Sequence, residues 1–180
     1  MFTDIDAYLN YFEGAHRRSV RDVSALPPEA ADYRPETGEG ENAWPIGEIV
    51  RHMAGARLYF VRAFRGEGWY FSDDILDIRS QEDWVPCLEK SANLVVERLS
   101  GAPAEWLTRK VQMIDTDRSL SGWRILMMNL EHEVHHRSQI DTYAGLQGWK
   151  VPHIYGRSAE EVGLQRERQK QLHAEQQSQE

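Results

Sequence analysis

Residues 125–146 read ILMMNLEHEVHHRSQIDTYAGL and carry a clear helical pattern of apolar residues. An α-helix turns by about 100° per residue, so side chains at i, i+3, i+4 and i+7 share one face. In this stretch that face holds Ile125, Met128, Asn129, His132, His136, Ile140, Tyr143 and Leu146. The pattern predicts a long helix that packs against others and carries two histidines near the middle of its apolar face.

The two histidines of this face, His132 and His136, lie one helical turn apart. Burying an unpaired imidazole costs on the order of a few kcal/mol, so two adjacent ones need a partner. Imidazoles at i and i+4 on one helix face can bind a single divalent metal ion. The alternative is a pair of hydrogen-bonded core histidines, and we favour the metal ion.

Length and composition indicate one globular domain without an obvious polyanionic partner. The chain has 180 residues, of which 41% are hydrophobic and 28% charged, as is typical of soluble proteins. Its net charge is −8, and no basic patch stands out. An acidic surface is a poor match for nucleic-acid phosphates or anionic lipids. We therefore expect no nucleic acid and no membrane among its partners.

The termini and the cysteine content favour a cytoplasmic protein. Cys87 is the single cysteine, so no disulfide can form within the chain. The first residues, MFTDIDAYLN, contain two aspartates and no basic segment, unlike a signal peptide. No apolar run approaches the roughly 20 residues that span a bilayer.

Helical periodicity recurs in three further segments, and turn residues separate them. Together with the first stretch they predict an all-α protein, specifically a four-helix bundle. The expected helices run from Phe2 to about Leu26, from Trp44 to about Phe64, from Ser80 to about Ser100 and from near Leu120 to about Leu146.

The connections are expected to be short, irregular or strand-like. Residues 108–113 have the composition of a short strand, and residues 158–162 suggest a short helix. From residue 165 onward the chain is mostly Gln, Glu, Arg and Lys, which predicts a frayed helix or a disordered tail. We therefore expect one domain over residues 1–164 and a charged tail over residues 165–180.

Two further histidines lie on the predicted helices of the amino-terminal half. His52 is at the flank of the second apolar stripe, and by itself it would be a surface or boundary histidine. It matters because a helix-borne pair needs a third ligand to form a catalytic metal site. His16 points inward on the first helix, as a satisfied core histidine or as a polar group that reaches the pocket of the pair.

Several segments together resemble one known family. The segment WPIGEIVRHMAGA at residues 44–56, followed by HEVHHRSQI at residues 132–140, resembles the DinB/YfiT-like metal-binding four-helix bundles. LPPEAADYRP at residues 26–35 is similar to that family's first loop, and PHIYGRSAEEV at residues 152–162 to its carboxyl-terminal segment. The resemblance covers nearly all of the predicted domain.

The resemblance implies a metal site, an arrangement of helices and a class of reaction. It places the ligands at His52, His132 and His136, in a bundle whose helices run up-down-down-up and which tends to form homodimers. Members of the family include transferases and isomerases that use low-molecular-weight thiols such as bacillithiol or mycothiol, and many have no assigned reaction. Imidazole ligands suit both zinc and nickel. His135 is about 80° from the mean direction of the pair, so we do not expect it to be a ligand.

Residues 132–136 also match H-E-x-x-H, the zinc-peptidase motif in which the glutamate is the general base. The downstream extension of the larger peptidase families is missing; the nearby downstream candidates are His153, Glu160 and Glu161. A zinc peptidase is therefore a minor alternative. We expect Glu133 on the helix surface or just outside the metal ligands.

Two classes of function follow from the predicted site. The first is a metal-dependent enzyme, such as a thiol-dependent transferase or a hydrolase, acting on a small molecule at an open coordination position. Glu133, Gln139 and His16 are its candidate pocket residues. The second is a non-catalytic, dimeric module that binds a metal or a small ligand.

Overall fold

The computed structural model describes residues 2–71, 73–75 and 77–177. Four long helices form a bundle, which confirms the predicted all-α fold. They are α1 (Ile5–Ser24), α2 (Ile46–Arg65), α3 (Trp84–Leu99) and α4 (Gly122–Gln147). A further helix, α5 (Ala159–Gln177), follows the bundle.

Local sequence signals set the ends of these helices. The Asp4 side chain accepts the Ala7 N–H at 2.7 Å and caps α1. Pro45 precedes α2, and a Ser80–Asp83 capping box leads into α3. The last helix of the bundle ends at Gly148, whose φ of 71° is the left-handed conformation that glycine adopts without strain.

The connections contain short 3-10 turns and one small hairpin. Strand β1 (Lys110–Gln112) pairs antiparallel with β2 (Ser119–Ser121), with Val111 opposite Leu120, as the strand-like composition predicted. The 3-10 turns are Pro28–Ala31, Gly40–Ala43, Gln81–Asp83 and Ala104–Leu107.

The carboxyl-terminal segment is more helical than the sequence indicated. Helix α5 is one continuous element where a short helix and a frayed or disordered tail were expected, and none of its described side chains is buried. The division into a domain over residues 1–164 and a tail over residues 165–180 stays a prediction. Among the described residues, no helix combines the length and the apolar character that a membrane span requires.

Contacts between the helices confirm the up-down-down-up arrangement. Helices α1 and α2 each pack mainly on α3 and α4. Residue numbers rise together along the α2–α3 and α1–α4 interfaces, so these pairs are parallel, whereas they run in opposite directions along α2–α4. The contacts that show this are Gly47–Trp84 and Arg65–Arg98 for α2–α3, Tyr8–Asn129 and Asp22–Arg137 for α1–α4, and His52–His136 and Phe64–Gly122 for α2–α4.

The start of α4 requires a glycine for steric reasons. A Cβ at Gly122 would lie 2.1 Å from the Trp106 carbonyl oxygen and 2.9 Å from the Phe64 ring. Any side chain there would push the helix away from the preceding turn and from α2. Gly122 therefore lets α4 begin close against its neighbours.

A buried polar layer separates two apolar clusters of the bundle. One cluster includes Phe12, Phe64 and Leu126, and the other includes Met53 and Ile140. The clusters contain residues of the apolar stripes that the sequence showed. Burial of this apolar surface therefore contributes most of the favourable free energy of helix packing.

Arg57 of α2 and Glu133 of α4 form the centre of the polar layer. Their side chains are 0% and 1% exposed and make two hydrogen bonds, Nη2–Oε1 at 2.5 Å and Nε–Oε2 at 2.9 Å. Arg57 Nη1 also donates to the Leu88 carbonyl at 2.7 Å and to Ser91 Oγ at 2.9 Å, both on α3. Ser19 Oγ on α1 donates to Glu133 Oε1 at 2.6 Å. One ion pair therefore connects all four helices of the bundle.

Breaking this pair from one side should destabilise the fold strongly. Arg57→Met leaves the Glu133 carboxylate buried without its counter-charge, and we expect a loss of about 3–5 kcal/mol in the free energy of unfolding. Adding Glu133→Leu removes the stranded charge and should recover most of that loss. Urea unfolding in the presence of a chelator measures both effects.

The matched control is an exposed ion pair, Arg17 with Glu13 on α1. Arg17→Ala should cost less than about 0.5 kcal/mol because water solvates both partners. An equally small loss for Arg57→Met would show that the buried pair does not hold the helices together.

Candidate metal centre

Three imidazole rings converge between α2 and α4. Nε2 of His132 lies 2.9 Å from Nε2 of His52 and 3.2 Å from Nε2 of His136. The three potential ligand atoms all lie within 4.8 Å of one another. The structure thus brings together the three histidines that the family resemblance implied as ligands.

The spacing and the proton count of this cluster fit a bound cation. Nitrogens that share one zinc ion at about 2.0–2.1 Å in a tetrahedron lie about 3.3 Å apart, close to the distances observed. An imidazole nitrogen offers either one proton or one lone pair, so Nε2 of His132 can satisfy only one of its two neighbours by hydrogen bonding. A cation accepts all three lone pairs at once.

The surroundings keep the three imidazoles neutral, as metal binding requires. Burial, followed by the charges of His136 and His52, lowers the pKa of His132 to about 3. Burial and then His136 lower the pKa of His52, and burial lowers the pKa of His136 despite its hydrogen bond to Gln139. At neutral pH each ring therefore has a free lone pair for a ligand bond.

Gln139 orients one of the candidate ligands. Its Oε1 lies 3.1 Å from Nδ1 of His136, so Nδ1–H donates to it and Nε2 is left as the ligand atom. Its Nε2 donates to the Glu41 carbonyl at 2.7 Å and lies 3.0 Å from the Tyr143 hydroxyl. Gln139 was predicted as a pocket residue, and the structure places its amide against His136; a contact of Gln139 with a substrate stays a prediction.

Glu133 was expected on the helix surface or just outside the metal ligands, and it lies in the core one residue after His132. The expected position on the helix surface is wrong, because Arg57 and Ser19 hold its carboxylate in the bundle core. Burial by itself would raise the pKa of Glu133, but the charge and hydrogen bonds of Arg57 and the hydrogen bond of Ser19 lower it overall. A carboxylate held in this way cannot serve as the base of an H-E-x-x-H peptidase.

His16 lies beside the buried ion pair and not among the three clustered histidines. Its ring stacks on Phe12 at a centroid distance of 6.4 Å, and its Nδ1 is buried without a hydrogen-bond partner among the described residues. Burial, and then the charge of Arg57, lower its pKa to about 4. The predicted role for His16 in the metal pocket is therefore not supported by its position.

Glu41 is a neighbour of the site that the sequence analysis missed. Its Oε1 lies 3.7 Å from Nε2 of His136 and 3.5 Å from Nε2 of the exposed His135. It comes from the Gly40–Ala43 turn, in a run that the sequence marked only as a loop. The available signal was an acidic residue shortly before Trp44, which is too common a feature to single out.

A cavity of about 380 Å³ adjoins the histidine cluster at His52. Aromatic side chains of Trp44 and Phe71 line it and contact the His52 ring, with centroid distances of 5.0 and 5.9 Å. Charged residues, among them Arg51 and Asp73, also line it. The cavity is large enough for a small organic molecule next to one of the candidate ligands.

Comparison with known proteins points to one family, by sequence and by structure. The model of the DinB family matches residues 1–172. A crystal structure of a DinB-like protein from Bacillus cereus is similar with a TM-score of 0.64 and 19% identity, over 85% of this chain and 99% of that one. A DinB-like protein from Bacillus subtilis gives a TM-score of 0.63 and 17% identity, over 82% and 96%. A search of curated proteins found no significant match.

The half-buried, neutral His16 should make stability depend on pH. The unfolded chain binds a proton at this imidazole near pH 6.5, whereas the folded protein does so only near pH 4. The contribution is therefore fully present above about pH 6.5 and is lost as the pH falls towards 4. We expect His16→Leu to lose less stability than the wild type between pH 7 and pH 5, measured by urea unfolding with a chelator. Equal losses in the two proteins would contradict a protected neutral imidazole.

Proposed function

We propose that this chain, which belongs to the DinB family, is a metal-dependent enzyme whose divalent ion is held by His52, His132 and His136. The observation that supports this most directly is the convergence of three Nε2 atoms from two helices, at 2.9 and 3.2 Å. Three histidines leave a coordination position open, which is the arrangement of catalytic zinc sites. Structural zinc sites usually have four protein ligands.

The ion is zinc or nickel in this proposal, because both suit imidazole ligands. When bound by neutral imidazoles, such an ion keeps its full charge and lowers the pKa of a water or thiol that reaches it. The residues of the chain hold the three ligands in position. Gln139 fixes the His136 ring, and the Arg57–Glu133 pair holds α2 and α4 at the level where His52 faces His132.

The cavity beside His52 is the proposed substrate site. Its aromatic walls, Trp44 and Phe71, suit an organic molecule, and its volume suits a small one. We infer a thiol-dependent transferase or a hydrolase of small molecules, since each needs one nucleophile activated next to an organic substrate. The acidic net charge of −8 makes nucleic acid a poor substrate.

A non-catalytic metal-binding module is the second candidate, and the position of Glu41 favours it. A carboxylate that stayed beside His136 in the fourth position would close the site and make the metal structural. Turnover separates the two candidates. The metal-loaded protein is assayed with a panel of low-molecular-weight thiols and electrophiles and with hydrolysable esters and amides. Activity that follows metal occupancy supports the enzyme, and no activity with fully occupied protein supports the module.

Metal content tests the ligand assignment. Protein purified without a histidine tag and then dialysed against zinc-buffered solution should hold close to one ion per chain by mass spectrometry of the metal. His136→Ala removes one of three ligands and should lose most of the metal. The matched control, His135→Ala, changes an adjacent side chain that is 63% exposed and should keep the wild-type content. Full occupancy in His136→Ala, or equal loss in both variants, would overturn the assignment.

A further inference from the structure

We propose that Glu41 is a fourth, exchangeable ligand of the metal ion, which leaves when the donor atom of a substrate binds. This inference rests on the proposed function and adds a mechanism that controls access to the metal. Its starting point is the 3.7 Å between Glu41 Oε1 and His136 Nε2, the nitrogen that faces His132. Glu41 also forms a second group of potential metal ligands with His135 and His136.

The turn that carries Glu41 is fastened to α4 by the residues that build the site. Gln139 donates to the Glu41 carbonyl at 2.7 Å while its Oε1 orients His136. The Tyr143 hydroxyl donates to the neighbouring carbonyl, that of Asn42, at 3.0 Å. Both bonds use backbone oxygens, so they place the turn and leave the Glu41 carboxylate free to reach the ligand atoms.

Charge favours a carboxylate at this position. Three neutral imidazoles leave both positive charges of a divalent ion uncompensated, and no other carboxylate of the described residues lies within 4.0 Å of their ring nitrogens. Glu133, the nearest acid in sequence, is held by Arg57 in the core. Carboxylate oxygen is an ordinary ligand of zinc alongside histidine.

The exposure of the Glu41 side chain would allow it to leave the metal and return. The Glu41 side chain is 48% exposed, and the Gly40–Ala43 turn has no buried residue. Rotation about its side-chain torsions moves the carboxylate into water without breaking either bond of the turn to α4. The three histidines, by contrast, are anchored on helices and at least partly buried.

The exchange indicates the kind of molecule that reaches the metal. A donor that replaces a carboxylate without changing the net charge of the site is itself an anion. A thiol that binds as its thiolate meets this requirement, with its proton passing to solvent or to the released carboxylate. The remainder of such a molecule would occupy the aromatic cavity beside His52.

Cobalt(II) is a suitable probe because its visible spectrum reports the number and type of ligands. The wild type, Glu41→Ala, Glu41→Gln and the control Glu39→Ala are loaded with cobalt, and affinity is measured by competition with a chelator. Glu39 is exposed and belongs to the same loop, two residues away. We expect Glu41→Ala to weaken cobalt binding by about 10–100-fold and to change the spectrum, and Glu39→Ala to do neither.

Titration with 2-mercaptoethanol tests the exchange itself. The thiolate-to-cobalt absorption band should appear at lower thiol concentration in Glu41→Ala and Glu41→Gln than in the wild type, because no carboxylate has to be displaced. Wild-type metal affinity, spectrum and thiol titration in both Glu41 variants would overturn the inference.

A third variant separates ligation from a simple ion pair with His135. His135→Ala should leave the cobalt affinity and spectrum unchanged; if it reproduces the effect of Glu41→Ala, the carboxylate acts through His135 and the inference is wrong. Failure of the proposed function has a different signature, namely a wild type that binds no cobalt at all.

Discussion

The buried ion pair between Arg57 and Glu133 sets the alignment of α2 against α4. Two charges without water are stable only together, so wherever α2 and α4 pack, these two residues have to meet. That requirement fixes how far one helix can slide along the other. His52 lies about a turn and a half before Arg57, and His132 immediately precedes Glu133. The same register therefore brings His52 against His132 and His136, and a contact of the core determines the geometry of the candidate metal site.

The layer built by this pair also divides the bundle. Apolar clusters on either side supply most of the favourable free energy, and they do so without specifying a unique alignment, because apolar surfaces tolerate small shifts. The hydrogen bonds of Arg57 to Leu88 and Ser91 and of Ser19 to Glu133 extend the constraint to α3 and α1. The three clustered histidines are thus held by rigid helices, while Glu41 approaches them on a turn. The proposed exchange of Glu41 depends on this difference in support.

The helices of the bundle and two of the three clustered histidines were predictable from the sequence pattern. The 3.6-residue periodicity identified the four bundle helices to within a few residues, and the spacing of His132 and His136 predicted the pair that the structure brings together with His52. His52 required the family resemblance, since one histidine at the flank of a stripe has no distinctive pattern. The surface position expected for Glu133 was wrong because a helix phase gives the direction of a side chain and not its partner, and Arg57 lies opposite this acid in the core. For the same reason the sequence could not show that the Gln139 amide contacts His136. Contacts between a loop and a helix, such as Glu41 with His136, do not produce a periodic pattern in the sequence.

If one metal ion joins α2 to α4 through His52 and the pair on α4, added zinc should affect the thermal unfolding of the wild type and of His52→Ala differently. An ion that binds only the folded state stabilises by RT ln(1 + [L]/Kd), about 2.7 kcal/mol at a hundredfold excess over Kd. Zinc should raise the unfolding temperature of the wild type, His52→Ala should lose most of this increase, and the two metal-free proteins should unfold at similar temperatures. An equal increase in both proteins would show that His52 is not a ligand and that the metal does not join the two helices.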